Sequence, residues 1–558
     1  MDSGGRISRF HRCGISACLL LANQDYSADR RMIHVGLKRA INRIAPFSCL
    51  LSTGFLKGSP MRSSLSLIHR ASISSGLRLA LVLSAGLAAT LTTGCGGSSS
   101  STASANTVVT VLATSTANDQ LTQFLVTLQS LTLTSQSGKT VTVFSTPQSL
   151  EFKHLNGTVE PLTTATIPQD VYTSATATVE GGFPVCVGLE SNGGMLTNGS
   201  IGSYTSATGA TVNLPGPIKV TGSSMGLVLD LQFSKSISSF SCVSDTLGQA
   251  AITPTFSLTP MTIAEQPTNS ANGLATGLHG LIGTVAAGGT SFSATSAYGP
   301  TGQQISGSIT WQVNIGGSTT FQGVTGASQL VPGQPVDMDV AIQQDGTLQA
   351  TRVAVYDTNA SGLTIADGLL DEVVASEPIL NVAVDDYQGP LQNGLNVSSP
   401  FSFGNAVFQT SGQLANQKAL PFTASFNESN MVNGQNVFIT THAAKFSQFP
   451  IYVPITTITL LPQTINGTVN AVSSSGGFTT YTVTLAPYDL FPDLAVLPGQ
   501  TTLLTNPSSV VVYADSNTQQ LNTDHIAVGS VLRFNGLIFN DNGRLRMDCA
   551  QVNNGVAE

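Results

Sequence analysis

A glycine-punctuated pattern recurs three times in the second half of this chain, and it restricts the fold more than any other feature. Leu330-Val331-Pro332-Gly333-Gln334-Pro335-Val336-Asp337-Met338 returns as Met431-Val432-Asn433-Gly434-Gln435-Asn436-Val437-Phe438 and as Ile526-Ala527-Val528-Gly529-Ser530-Val531-Leu532. The outer copies open alike, on Gly280-Leu281-Ile282-Gly283-Thr284-Val285 and Ile465-Asn466-Gly467-Thr468-Val469, and close alike, on Asp345-Gly346-Thr347-Leu348 and Asn542-Gly543-Arg544-Leu545. Gly346 follows Gly333 by 13 residues, and Gly543 follows Gly529 by 14. A glycine ahead of each strand admits a positive φ that other side chains resist, and an Asp-Gly or Asn-Gly pair between apolar runs is a hairpin turn. Strand, turn and strand repeated at this scale predict small barrels, one way for a sheet to hide its edges. The repeats fall at 280–358, 376–446, which is the divergent copy, and 465–553.

Residues 107–263 carry a different β pattern. Leu227-Val228-Leu229-Asp230-Leu231-Gln232-Phe233 and Val171-Tyr172-Thr173-Ser174-Ala175-Thr176-Ala177-Thr178-Val179 alternate in character, with turns at Ser137-Gly138-Lys139 and Asn192-Gly193-Gly194. Such strands have one inward and one outward face, as a sandwich requires. The fold class expected is therefore all-β: an N-terminal β-sandwich followed by two or three small repeated β-barrel modules, with residues 264–279 as a Thr-, Ser-, Asn- and Gly-rich linker. Phe124 to Leu128, Gly138, Val141 to Phe144, Phe152-Lys153-His154-Leu155-Asn156-Gly157 and Thr166-Ile167-Pro168-Gln169-Asp170-Val171-Tyr172 follow in the order of an uncharacterised domain family of bacterial lipoproteins, which this region resembles. That resemblance implies a transthyretin-like or immunoglobulin-like sandwich. Gln169-Asp170 stand where that family carries small residues. The repeats resemble a second uncharacterised family, short OB-like barrels of the bacterial envelope that occur in tandem, over about 280–357 and 465–553.

Leu91-Thr92-Thr93-Gly94-Cys95 looks like a bacterial lipobox: small residues precede a cysteine at the end of the apolar run Leu79 to Leu91, behind Arg62, His69, Arg70 and Arg78. An apolar run of 13 residues is too short to span a bilayer but suits a signal peptide. Residues 61–94 are thus expected to be removed, and Cys95 to carry the lipid that holds the protein at a membrane surface. Residues 1–60 precede a complete leader and read as an over-extended start; residues 95–106, Gly-, Ser-, Thr- and Ala-rich, read as a flexible tether. Gly96 in place of Asp after the cysteine points to sorting to the outer membrane of a two-membrane bacterium. Beyond Cys95 the chain has 10 basic and 27 acidic residues, a formal charge of −17, which argues against nucleic acid as a partner.

Cys186 and Cys242 are reasonable disulfide partners in an oxidising envelope, closing a loop of about 56 residues with a gain of about 3–4 kcal/mol; Cys549 is left over. The histidines His154, His279, His442 and His525 are far apart in sequence, and no Cys or His spacing makes a metal site, so neither a metal nor another cofactor is expected. Asn198-Gly199-Ser200-Ile201-Gly202 lacks the first glycine of a nucleophile elbow and reads as a turn. Asp385-Asp386 and the i, i+2 pair Asp337 and Asp339 read as solvated charges, with calcium the sharper alternative. Trp311 reads as the core of its own barrel, with a ligand-stacking platform as the functional alternative. No catalytic residue emerges. The expected function is that of a lipid-anchored, non-enzymatic structural or binding module whose partner is an envelope protein or a glycan; the alternative is an envelope hydrolase with a dispersed active site.

Overall fold

The computed structural model describes residues 105–555 apart from 117–120, 190–195, 201–207, 238–251, 298–308, 375–376, 392–397, 413–418, 444, 446–451, 488 and 524; the side chains of 122, 181–189, 196–200, 208 and 398 are also outside the description. Strands dominate the described residues, with the four-residue α-helices Phe233–Ser236 and Phe491–Leu494 and a 3-10 turn at Ala327–Gln329. Among the described residues no helix is long and apolar enough to cross a membrane.

The N-terminal unit is one hydrogen-bonded sheet of 11 strands bent into two arms. One arm runs through Glu160–Pro168, Asn106–Ser115, Ser224–Leu231 and Thr255–Met261, and the other through Thr140–Phe144, Leu121–Ser135 and Val171–Leu189. Strand Thr208–Asn213 pairs with both arms and joins them. Their inner faces meet in an apolar core, with Phe124 against Phe233 and Phe152 against Phe256, each at 5.9 Å between ring centroids. Alternation sets which face is buried: in Ser224–Leu231, Leu227, Leu229 and Leu231 are fully inside. Leu196–Ser200 pairs antiparallel with Val185–Leu189. This corrects the expected turn at Asn198-Gly199-Ser200, where small polar residues hide an edge strand.

The first barrel closes through Leu274–Val285, Ser291–Ser296, Thr310–Gln322, Pro335–Ile342 and Leu348–Val355. The first strand pairs with the second and the fourth, the third pairs antiparallel with the second, and third and fifth lie parallel. The last unit repeats each of these pairings with Gln463–Ser475, Phe478–Leu485, Ser509–Ala514, Val531–Asp541 and Arg544–Asn554. The middle unit has the same order with its third strand broken: Ser398–Ser402 pairs with the second strand, Ile379–Gln388, and Val407–Thr410 lies parallel to the fifth, Thr457–Leu460. Its first and fourth strands are Thr364–Val374 and Asn436–Thr441. The sheet therefore reaches beyond 376–446 at both ends. Likewise the first barrel begins at Leu274 inside the stretch read as linker, where a bulge between Ala275 and Leu278 breaks the alternation that marks a strand.

The repeated glycines explain the common order. Gly333, Gly434 and Gly529 have φ of +86°, +91° and +91°. Their N–H groups donate to Ile282, Leu370 and Val469 of the respective first strands at 2.7, 2.7 and 2.8 Å, and those residues donate back to the carbonyls of Gln334, Gln435 and Ser530, each at 2.9 Å. One two-bond clamp thus ties the loop before strand four to strand one in all three units.

Candidate functional site

The four units meet around a cavity of about 90 Å³, walled by His154 and Glu160 from the first unit, His279 from the second, Asn436 from the third, and Thr464 and Asp489 from the fourth. Lys153 to Asn156, within the loop Phe152-Lys153-His154-Leu155-Asn156-Gly157, form one side of it. The geometry of this loop is dictated by Glu151, which is 2% exposed and accepts the backbone N–H groups of Phe124, Lys153 and His154 at 2.7, 2.8 and 2.9 Å. His154 bridges two carboxylates, with Nδ1 3.0 Å from Glu151 and Nε2 2.9 Å from Glu160. Burial alone would push the Glu151 carboxyl up, but the His154 charge and these donors outweigh it and hold the group below its ordinary range. Burial likewise opposes the imidazolium, yet Glu151 and Glu160 raise His154 to about 9.

Behind this loop lies the joint with the middle unit. Lys153 Nζ stands 3.4 Å from Asp385 Oδ2, and Gln123 Nε2 donates to the Asp385 carbonyl and to Asp386 Oδ1, both at 3.2 Å. Asp367 faces Asp386 across the hairpin. Burial raises the Asp367 carboxyl to about 7, against the pull of Lys153 and with the push of Glu151. Burial also carries Asp385 well above the carboxylate range, opposed by Lys153 and reinforced by Asp367 and Glu151.

Asp385 and Asp386 are 5% and 1% exposed, which corrects their reading as solvated turn charges. The cause is a β-bulge: Asp367 pairs with Asp386 and Gly368 with Val384, so Asp385 is the extra residue. Gly368 permits it, because a Cβ there would lie 2.1 Å from the Ala383 carbonyl oxygen.

Asp337 and Asp339 are corrected in the same way. Asp337 is fully buried, and Arg352 bonds Asp337 Oδ1 at 3.0 Å and Asp339 Oδ2 at 2.8 Å. Tyr356 O–H donates to Asp337, as does Ser411 of the middle unit at 3.1 Å. Burial raises the Asp337 carboxyl, but Arg352 and then His279 more than reverse the effect. His279 is 6% exposed and stacks on Phe438 at 5.9 Å; burial holds its imidazole below the ordinary range. His442 bonds Asp357 at 3.0 Å and the Ser361 carbonyl at 3.0 Å.

Trp311 is 3% exposed and donates its indole N–H to the Pro161 carbonyl at 3.0 Å, so its ring is core at the joint of sandwich and first barrel and presents no stacking face to solvent. Cys549 is a free, buried thiol raised by burial well above its usual range. The side chain of Cys186 and all of Cys95 and Cys242 lie outside the described residues, as does Asn192-Gly193-Gly194. Among the described residues no group of three or more His, Cys, Asp and Glu is placed to hold a metal ion.

Sequence reasoning gave no role to Glu151, Lys153, Glu160, Arg352 or Asp367. Their partners come from other strands or other units, and nothing local to them reports that. In comparison with known proteins, no family model and no curated protein matches the chain.

Proposed function

We propose that this chain is a lipid-anchored protein of the bacterial envelope, placed at the outer membrane, that acts as a non-enzymatic structural or binding module built from a sandwich and three OB-like barrels. The observation that carries this reading is how the charged groups at the junction are used. Both ring nitrogens of His154 bond carboxylates, both of His442 bond Asp357 and a carbonyl, and Arg352 is spent on two aspartates. A histidine that serves as the base of a hydrolase needs a ring nitrogen to take the proton of the nucleophile, and both ring nitrogens of His154 and of His442 are engaged elsewhere. His154 and Arg352 instead hold together the loop and strands of their own units, and His442 ties the middle unit to Asp357 at the end of the first barrel. The lipobox at Cys95 and the glycine- and serine-rich stretch after it supply anchor and tether ahead of the strand Asn106–Ser115.

The test is metabolic labelling of cells that make the full chain with a radioactive fatty acid. Label is expected in the wild-type protein and absent from Cys95→Ser; an unmodified thiol with the leader still attached overturns the reading. A screen of ester, glycoside and peptide substrates is expected to show no turnover, and turnover abolished by His154→Gln would establish the hydrolase instead.

A further inference from the structure

Lys153 and Asp385 are 232 residues apart in sequence and belong to different units, yet Lys153 Nζ stands 3.4 Å from Asp385 Oδ2, with 17% and 5% of their side-chain surfaces exposed. Each is fixed from its own backbone. The Lys153 N–H is held by Glu151, the Asp385 carbonyl by Gln123, and the bulge opposite Gly368 turns Asp385 inward. Cγ of Asp385 is one bond from Oδ2, so the amine and the carboxyl group are already neighbours on rigid elements and have lost most of the freedom that a reaction between them would cost. Burial favours the neutral acid at Asp385, and Asp367, close enough for its charge to act on Asp385, exchanges its own proton near neutral pH.

We propose that Lys153 and Asp385 condense into an intramolecular amide that covalently joins the N-terminal unit to the middle unit. Nζ, as the free amine, adds to Cγ of the protonated Asp385 carboxyl. The nitrogen gives up a proton to Asp367, Asp367 returns one to the departing oxygen, the C–O bond breaks, and one water leaves as the C–N bond becomes an amide. Nothing is oxidised or reduced, and no co-reactant is needed. The ion pair and the amide differ only by that water, and the enclosed joint keeps solvent from reversing the step. The proposal is independent of the lipid anchor, since it concerns two residues within the folded units.

The test is tryptic peptide mapping of the purified full chain by mass spectrometry. An amide at Lys153 blocks cleavage there, so the expected species is a branched peptide joining 140–219 to 353–418, lighter by one water than the two peptides together. Lys153→Arg and Asp385→Ala are expected to abolish it, and Asp367→Asn to slow its formation about a hundredfold, as removal of a proton-transfer group does. Recovery of the linear peptide 140–153 in full yield from the folded wild-type chain overturns the proposal. Persistence of the branched species in Lys153→Arg overturns it as well. The wild-type measurement decides the matter whether or not every variant folds.

Discussion

Glu151 is a single carboxylate answering four donors, three from the backbone and one from His154, with almost no exposure to water. Glu151→Gln keeps the shape but leaves the His154 charge with only Glu160 beside it, and breaking a buried pair of this kind costs about 3–5 kcal/mol. Urea denaturation should show that loss as a lower midpoint with an unchanged slope. The pH dependence of stability follows from the same groups. His154 is raised from 6.5 to about 9, so its contribution is complete below pH 6.5 and is lost as pH rises through about 9. Stability should therefore fall over that interval, and the fall should vanish in His154→Gln. Asp367 is raised from 3.8 to about 7, so wild-type stability is lost as pH climbs across that range, and Asp367→Asn should gain on the wild type over the same span. Denaturant midpoints measured from pH 4 to pH 10 separate the two intervals. None of this was legible beforehand. Asp385-Asp386 ahead of Tyr387-Gln388-Gly389 has the composition of a surface turn, and the lysine that pairs with it is 232 residues away.

The elements were far more legible than the charges, because the glycines report on the backbone directly. Gly333, Gly434 and Gly529 take the positive φ that their spacing requires, and Asn542-Gly543, at φ +54° and +78°, forms the turn between the last two strands. What stayed hidden was any strand whose pattern is interrupted. The third strand of the middle unit breaks between Ser402 and Val407, with the buried Phe403 at the break, so the third copy of the repeat looks poorer than its topology is. Glycine substitutions should therefore separate into two kinds. Gly529→Ala meets open space at its Cβ and pays only for a left-handed backbone, about 1–2 kcal/mol. Gly368→Ala needs no unusual φ, but its Cβ would lie 2.1 Å from the Ala383 carbonyl oxygen, so the bulge has to open and Asp385 to move. Urea midpoints should rank Gly368→Ala well below Gly529→Ala, and only the former should alter the pH dependence attributed to Asp367.

At the scale of the molecule, the four units close a ring rather than trail from one another as a string. Trp311 fastens the first barrel to the sandwich through Pro161, Gln388 of the middle unit donates to Ala297 of the first barrel at 3.1 Å, and Gln435 reaches Ile538 of the last barrel at 2.7 Å. The ring shuts where Thr464 donates to the Asn156 carbonyl at 2.7 Å and Arg533 to the Ser115 carbonyl at 3.3 Å, joining the last unit to the first. Ser270, in the stretch that composition marks as a loose linker, is itself bonded to Gln551 of the last barrel at 3.3 Å. A tandem repeat in sequence says nothing of such closure, since the bonds that make it are side chain to backbone across units. A closed ring should unfold as one body. Calorimetry of the wild type is expected to give a single transition, whereas Thr464→Val combined with Arg533→Ala, which removes about 2–4 kcal/mol of bracing, should let the last barrel melt ahead of the rest as a separate peak. Two well-separated transitions in the wild type would mean that the units fold independently, and the cavity among them would then be a gap between neighbours with no part in stability.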